Sequence, residues 1–200
     1  MIDPVIIGTV ALDSLETPFG KVQNVIGGSA CYASIAASFF SKPGILSIVG
    51  KDFPEQHIKY LNKRGIDTKG IILGDKTFKW QGFYEFDMNE AKTLRTELNS
   101  LESYKVEVPE NYKDAKYIFL ANIDPDLQLD AINNISKPEL VVMDTMNFWI
   151  DHKKEQVLKA IDKADILVLN DSEARQLFDT PNLVKAANAC LRLHTKAVII

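Results

Sequence analysis

Side chains suited to chemistry gather just past the short apolar runs of this sequence. Asp13 follows the run 5–10, Asn122 and Asp124 follow "YIFLA", Asp144 follows "LVVM", and Asn170 with Glu173 follows "ILVL". Carboxylates and carboxamides in such places can accept hydrogen bonds from hydroxyl groups or hold the water shell of a hard cation. A glycine pair, Gly27-Gly28, opens the stretch "GGSACYASIAASFF", residues 27–40, which is small, aromatic and almost uncharged. Glycine ahead of a helix lets backbone N–H groups come closer to a ligand than a side chain would allow.

Positioning these groups requires a sheet. Residues 5–10, 45–49, 117–121, 140–143 and 166–169 read as buried strands. Helical patterns fall at 54–64, begun by Pro54 and stopped at Gly65, and around 127–135 and 153–163. Strand-helix alternation of this kind predicts an α/β fold with a mostly parallel sheet, helices on both faces and right-handed crossovers. Ligands of such sheets collect at the carboxyl ends of the strands, which is where the polar residues stand.

One region breaks the rhythm. In "TFKWQGFYEF", residues 77–86, Phe78, Trp80, Gly82, Tyr84 and Phe86 share one face, as a half-buried antiparallel strand requires. The polar stretch "DMNEAKTLRTELNSLE" then joins this strand to the next α/β unit, and residues 14–26 offer a partner strand. The expected organisation is one α/β core over residues 1–200 with small β-lid insertions at about 14–25 and 76–104. The alternative is an edge hairpin without a functional role.

Composition excludes several classes. Two hundred residues, 46% hydrophobic, can bury one substantial core, and a net charge of -4 without any basic run argues against a nucleic-acid partner. No apolar stretch approaches membrane-spanning length, and the start Met1-Ile2-Asp3-Pro4 lacks the features of a secretory signal. With Cys31 and Cys190 far apart in apolar surroundings, the expected location is cytoplasmic. "GILSIVGKD", residues 44–52, resembles a phosphate loop but has one residue too many between its glycines, and Asp52 where the magnesium-binding Ser or Thr belongs. "GGSACY" lacks the third glycine of a dinucleotide fingerprint, and His57, His152 and His194 match no metal-ligand spacing.

Four stretches together resemble the ribokinase-like (PfkB) carbohydrate kinase family, in its order and spacing: "GTVALD" at 8–13, "GGSACYASIAASFF", "IVGKDF" at 48–53 and "LNDSEARQL" at 169–177. The resemblance implies a three-layer α/β/α domain with a small β lid, acting on a sugar or nucleoside with ATP and Mg2+ as cofactors. It implies that Asp13 accepts two substrate hydroxyls, that Gly27 and Gly28 admit the substrate to the backbone, and that Tyr32, Asn122 and Asp144 belong to the same binding region. Asn170 and Glu173 match the family's Asn-x-x-Glu motif, and so imply magnesium and phosphate binding through water. The same pair also has the spacing of an N-cap and its capping-box partner, which needs no metal.

The chain departs from the family's pattern in three places. Ala30-Cys31-Tyr32 stands where many members have Gly-Ala-Asn, and Ala11 where many have Asn, so the choice between a plain sugar and a nucleoside stays open. Tyr32 is then either a substrate contact or a core aromatic. The family's Gly-Ala-Gly-Asp, which carries the general base and the anion-stabilising helix start, does not occur before the sequence ends in "KAVII" at Ile200. The resemblance therefore places the general-base Asp beyond Ile200 and no catalytic residue within the 200. They read as the front part of a kinase, incomplete at the C-terminus, and the stretch alone is expected to be inactive. The expected activity of the whole is ATP-dependent phosphorylation of a primary hydroxyl; the alternative is a non-catalytic sugar-binding or interaction module. The aromatic lid face is expected to be covered by bound ligand or by a second lid in a homodimer.

Overall fold

The computed structural model describes residues 2–86, 88 and 91–200. In chain order the elements are β1 (Val5–Ile7), β2 (Ala11–Thr17), β3 (Gly20–Gly27), α1 (Ser29–Ala37), β4 (Gly44–Gly50), α2 (Glu55–Lys63), β5 (Asp67–Gly74), β6 (Phe78–Tyr84) and β7 (Ala91–Glu97). They continue with β8 (Tyr117–Leu120), α3 (Pro125–Asn133), β9 (Leu140–Met143), α4 (Asn147–His152), α5 (Lys154–Ile161), β10 (Ile166–Val168), α6 (Asp171–Leu177), α7 (Leu183–Cys190) and β11 (Ala197–Ile199).

Among the described residues, seven strands form one sheet in the order β11-β10-β9-β8-β1-β4-β5, and every neighbouring pair is parallel. Side chains alternate between two cores, because successive residues of a strand point to opposite faces. Val5 and Ile7 of β1, Leu46 of β4, and Ile118 and Leu120 of β8 meet Val157, Ile161, Ala174 and Leu177 of the later helices. Ile6, Ile45 and Val49 point the other way, to Ala30 and Cys31 of α1 and Leu61 of α2. Burial on both faces explains why these strands read as continuous apolar runs. Over β8 to β10 that second face is an open apolar trough of Tyr117, Phe119, Leu140, Val142 and Val168. The apolar end "KAVII" supplies β11 at one edge of the sheet, and Ile200, just past that strand, is exposed.

The strand order reverses at β1, which lies between β4 and β8. Such a switch point opens a crevice at the carboxyl end of the central strand. The apolar run 5–10 is a strand only to Ile7. Past it, buried Ser47 bends the chain out of the sheet, donating to the Gly8 carbonyl at 2.7 Å and accepting from the Val10 N–H at 3.1 Å.

A second sheet, β3-β2-β6-β7, rises from that end. The strand at 77–86 differs from expectation on one side: β6 is antiparallel to β7 but parallel to β2, since the chain crosses the whole first α/β unit between them. The polar stretch after it is no mere connector, for residues 91–97 form β7; cross-strand pairing does not need an apolar face. Asp87, within that stretch, lies outside the described residues. Phe86 leaves the face it was expected to share: β6 ends at Tyr84, and Phe86, 80% exposed, meets Phe19 of the β2–β3 hairpin at 6.1 Å between ring centroids. Among the described residues no helix is long and apolar enough to cross a membrane. Cys31 and Cys190 are buried free thiols.

Candidate functional site

A cleft of about 370 Å³ lies between the two sheets, within the range of small-molecule sites. Its lining is polar at Thr9, Asp13, Gly28, Ser29 and Asn122 and largely aromatic at Phe78, Trp80 and Tyr84 of β6 and at Met146, Phe148 and Trp149.

Asp13 is the carboxylate of this cleft. It is 8% exposed, yet its Oδ1 has no hydrogen-bond partner, while the Gly28 N–H donates to the carboxylate. Burial pushes its pKa up from 3.8 to about 6, against the opposing pull of that N–H. A buried acceptor without a donor is costly to a protein, and a ligand hydroxyl would relieve it.

Gly27 and Gly28 are required, but for a reason other than the one expected. A Cβ on Gly27 would fall 1.9 Å from Asp13 Oδ2, and one on Gly28, whose φ is +93°, would fall 2.3 Å from the Thr9 carbonyl oxygen. The close approach they permit is to the protein's own carboxylate and backbone. The helix-start N–H groups are also spoken for: Ser29 donates to Thr9 Oγ1 and Ala30 to the Thr9 carbonyl, while Cys31 and Tyr32 donate to the Gly28 carbonyl. The expected offer of these N–H groups to a ligand is corrected accordingly. The glycines seat Asp13, and Asp13 presents the free acceptor.

Ser29, which the sequence reading passed over, ties three segments together. Its hydroxyl accepts from the Thr9 N–H at 3.0 Å and donates to the Asn122 carbonyl at 2.7 Å. Its signal was its place between a double glycine and a helix. The Asn122 amide reaches the cleft with its hydrogen bonds already placed, donating to Met146 Sδ at 3.2 Å and accepting from Trp149 Nε1 at 3.1 Å. Met146, Phe148 and Trp149 belong to the segment "DTMNFW", whose short helix α4 the sequence did not announce.

Tyr32 is not a core aromatic. It is 58% exposed on α1 and lines the cleft mouth; burial first, then the charge of Asp13 and the nearby Tyr84, raise its hydroxyl above the usual tyrosine range. Asp124 lies apart from the site. It caps α3 by accepting from the Asp126 N–H and pairs with Lys153 at 2.7 Å.

Asp144 does not line the cleft but stands between it and α6. The Asn122 N–H donates to its carboxylate, its Oδ1 is buried without a partner, and burial and the charge of Glu173 push its pKa up to about 7. Asn170 and Glu173 form the capping box of α6: the Glu173 N–H donates to Asn170 Oδ1 at 2.8 Å, and the Asn170 N–H to Glu173 Oε2 at 2.9 Å. Capping does not use up these groups, since Glu173 Oε1 lies outside both capping bonds. Burial raises the Glu173 carboxyl, and its charge raises Asp144, an arrangement that a nearby cation would relieve. Among the described residues no cluster of three or more His, Cys, Asp or Glu could ligate a metal directly. Asn170, Glu173 and Asp144 carry side-chain oxygens, the donor type that a magnesium ion or its water shell takes.

A family model described as pfkB family carbohydrate kinase matches residues 5–200. The cytidine kinase of Thermococcus kodakarensis is 27% identical over 208 residues, spanning 100% of this chain and 73% of that protein. Among solved structures, the nucleoside kinase of Methanocaldococcus jannaschii superposes with a TM-score of 0.70 at 20% identity, over 92% of this chain and 67% of its own. A ribokinase II candidate from Escherichia coli, solved with ATP and Mg2+, superposes with a TM-score of 0.73 at 17% identity, over 100% and 72% of the two chains. These two likenesses establish the ribokinase-like fold.

Proposed function

This chain belongs to the pfkB family of carbohydrate kinases, and on that premise we propose that it serves the ATP-dependent phosphorylation of a nucleoside at its primary hydroxyl. The observation that carries the reading is the mixed lining of the cleft, polar around Asp13 and aromatic at Trp80, Tyr84, Phe148 and Trp149. Asp13, with one oxygen lacking a donor, suits a pair of sugar hydroxyls, since an ionised carboxylate only accepts and can take two donors at once. Trp80, Tyr84, Phe148 and Trp149 offer flat apolar surfaces to the cleft, and the Trp80 N–H and Trp149 N–H are already bonded to Thr93 and Asn122. Such a wall suits a base by stacking. A free sugar would leave it wet. The naming of one relative as a cytidine kinase and of a structural neighbour as a nucleoside kinase agrees with this reading.

ATP with Mg2+ would supply the transferable phosphoryl group and the charge that steadies it. Asn170 and Glu173, with Asp144 beside them, would hold the magnesium waters, and Asp13 would fix the sugar so that its primary hydroxyl is oriented. The sequence to Ile200 contains no Gly-Ala-Gly-Asp, so none of these residues is assigned the family's general base. We propose that the 200 residues bind nucleoside without measurable phosphate transfer.

Calorimetric titration with cytidine, adenosine, ribose and fructose tests the substrate class. Base–aromatic stacking contributes about 1–3 kcal/mol, so the nucleosides should bind at least about fivefold tighter than ribose. Equal affinity for ribose and cytidine would remove the basis of the nucleoside reading.

A further inference from the structure

Asp52 lies in "IVGKDF", a stretch to which nothing in the cleft chemistry assigns a task. Its side chain leaves the turn after β4 and reaches the point where the chain passes from core to lid. There Thr77, fully buried, donates both its backbone N–H and its hydroxyl to Asp52 Oδ1, each at 2.7 Å. The same hydroxyl accepts from the Gly50 N–H at 3.0 Å, and the Thr77 carbonyl accepts from Asn99 Nδ2 at 2.8 Å. Asn99 belongs to the chain returning from the lid. Next to it, Ser100 Oγ accepts from the N–H groups of Asp75 and Lys76, at 2.8 and 3.0 Å. The outgoing and returning segments are thus tied to each other and, through Asp52, to the core.

The aromatic wall begins directly after Thr77. β6 starts at Phe78, and its parallel register on β2 sets Phe78 opposite Ala11 and Trp80 opposite Asp13. Phe78, Trp80 and Asp13 all line the cleft. A strand anchored at its first residue delivers later side chains at fixed heights, and a one-residue slip would turn them to the other face. We propose that Asp52 is a positioning residue for the cleft: by holding Thr77 it fixes where β6 begins, and so places Phe78 and Trp80 and supports Asp13 on the paired strand. Lys79, 3.7 Å from Asp52 Oδ2 and half-buried, is an accessory to this contact.

The anchor can be tested apart from the substrate assignment, on which only its affinity arm rests. Amide hydrogen exchange of residues 78–84 and 11–13 would be compared with that of the core strands in Asp52→Ala, Thr77→Val, the double variant and Thr77→Ser. Loss of a charge-assisted hydrogen bond at the anchor should speed exchange of 78–84 by about tenfold or more while 117–120 and 140–143 stay as they were. The double variant should lose less than the product of the two single effects, because the hydroxyl–carboxylate bond is absent from each; Thr77→Val keeps the backbone N–H bond to Asp52 and deprives the Gly50 N–H of its acceptor. Thr77→Ser, which keeps both donors, should behave as wild type, as should Lys79→Ala. Cytidine affinity should fall in parallel with the exchange effect. Unchanged exchange in β6, multiplied losses in the double variant, or acceleration spread evenly over the core strands would overturn the positioning role. If the exchange pattern holds while the wild-type chain binds no nucleoside, the positioning role stands and the substrate reading falls. Should Asp52→Ala fail to fold, Thr77→Val carries the test beside Asp52→Asn, which keeps an acceptor for both Thr77 donors but no charge and should speed exchange of 78–84 by a smaller factor; equal acceleration in the core strands would overturn the role.

Discussion

Replacing Asp13 by Asn should make the protein more stable and less able to bind. Burial displaces this carboxyl from 3.8 to about 6, which at roughly 1.4 kcal/mol per pH unit corresponds to about 3 kcal/mol of strain on the folded state at neutral pH. Asparagine can keep the acceptor for the Gly28 N–H and carries no charge, so the gain should reach at most ~3 kcal/mol near pH 7.5. Its sign with pH comes from proton counting. Between 3.8 and about 6 the folded protein holds a proton that the unfolded chain has released. Acidification through that window therefore stabilises the wild type, and the advantage of Asp13→Asn should shrink to nothing by about pH 4. Denaturant unfolding of both proteins across that range measures the difference directly, and subtracting the two curves cancels contributions from Asp144 and Glu173. Over the same range nucleoside affinity of the wild type should decline below about pH 6 as the acceptor becomes protonated. Asp13→Asn should lose about a hundredfold or more in affinity, from two charged hydrogen bonds of about 1.5–3 kcal/mol each. Parallel stability curves, or an Asn variant that binds as well as wild type, would refute the claim that a strained, unpartnered carboxylate is held ready for substrate.

Three other substitutions probe neighbouring elements. Gly28→Ala places a Cβ 2.3 Å from the Thr9 carbonyl at a φ of +93°, so unfolding free energy should drop by about 2 kcal/mol or more; a loss under about 0.5 kcal/mol would mean that the loop relaxes freely. At the start of α6, Asn170→Ala should cost about 1 kcal/mol as a lost cap, whereas Glu173→Gln keeps an oxygen for the Asn170 N–H and should leave stability nearly unchanged. The same Glu173→Gln change should abolish Mn2+-induced broadening of the amide signals at 170–173, and persistence of that broadening would separate this turn from any cation site.

Much of this protein was determined locally, by periodicity and punctuation. β1 and β4 are continuous apolar runs because both of their faces are covered, and Leu140–Met143 reads at its observed limits. Asn122 and Asp144 stand just past the ends of β8 and β9, whereas Asp13 lies within β2 of the second sheet, and four motifs in register carried the family. Other features belong to contacts between distant segments, which local pattern does not encode. The parallel pairing of β6 with β2 arises from a crossover spanning residues 18–77, and β7 is held by its partner rather than by an apolar face of its own. The two glycines announced a close approach, but only the folded chain shows that Asp13 and Thr9 are what approach them. Asn170 and Glu173 fit both a cap and a cation by spacing, and tertiary structure adds the charge of Glu173 bearing on Asp144. Asp52 and Thr77 are 25 residues apart; their bond exists because the β4 turn and the root of the lid are brought together by the sheet, and a sequence read from neighbour to neighbour does not contain that distance.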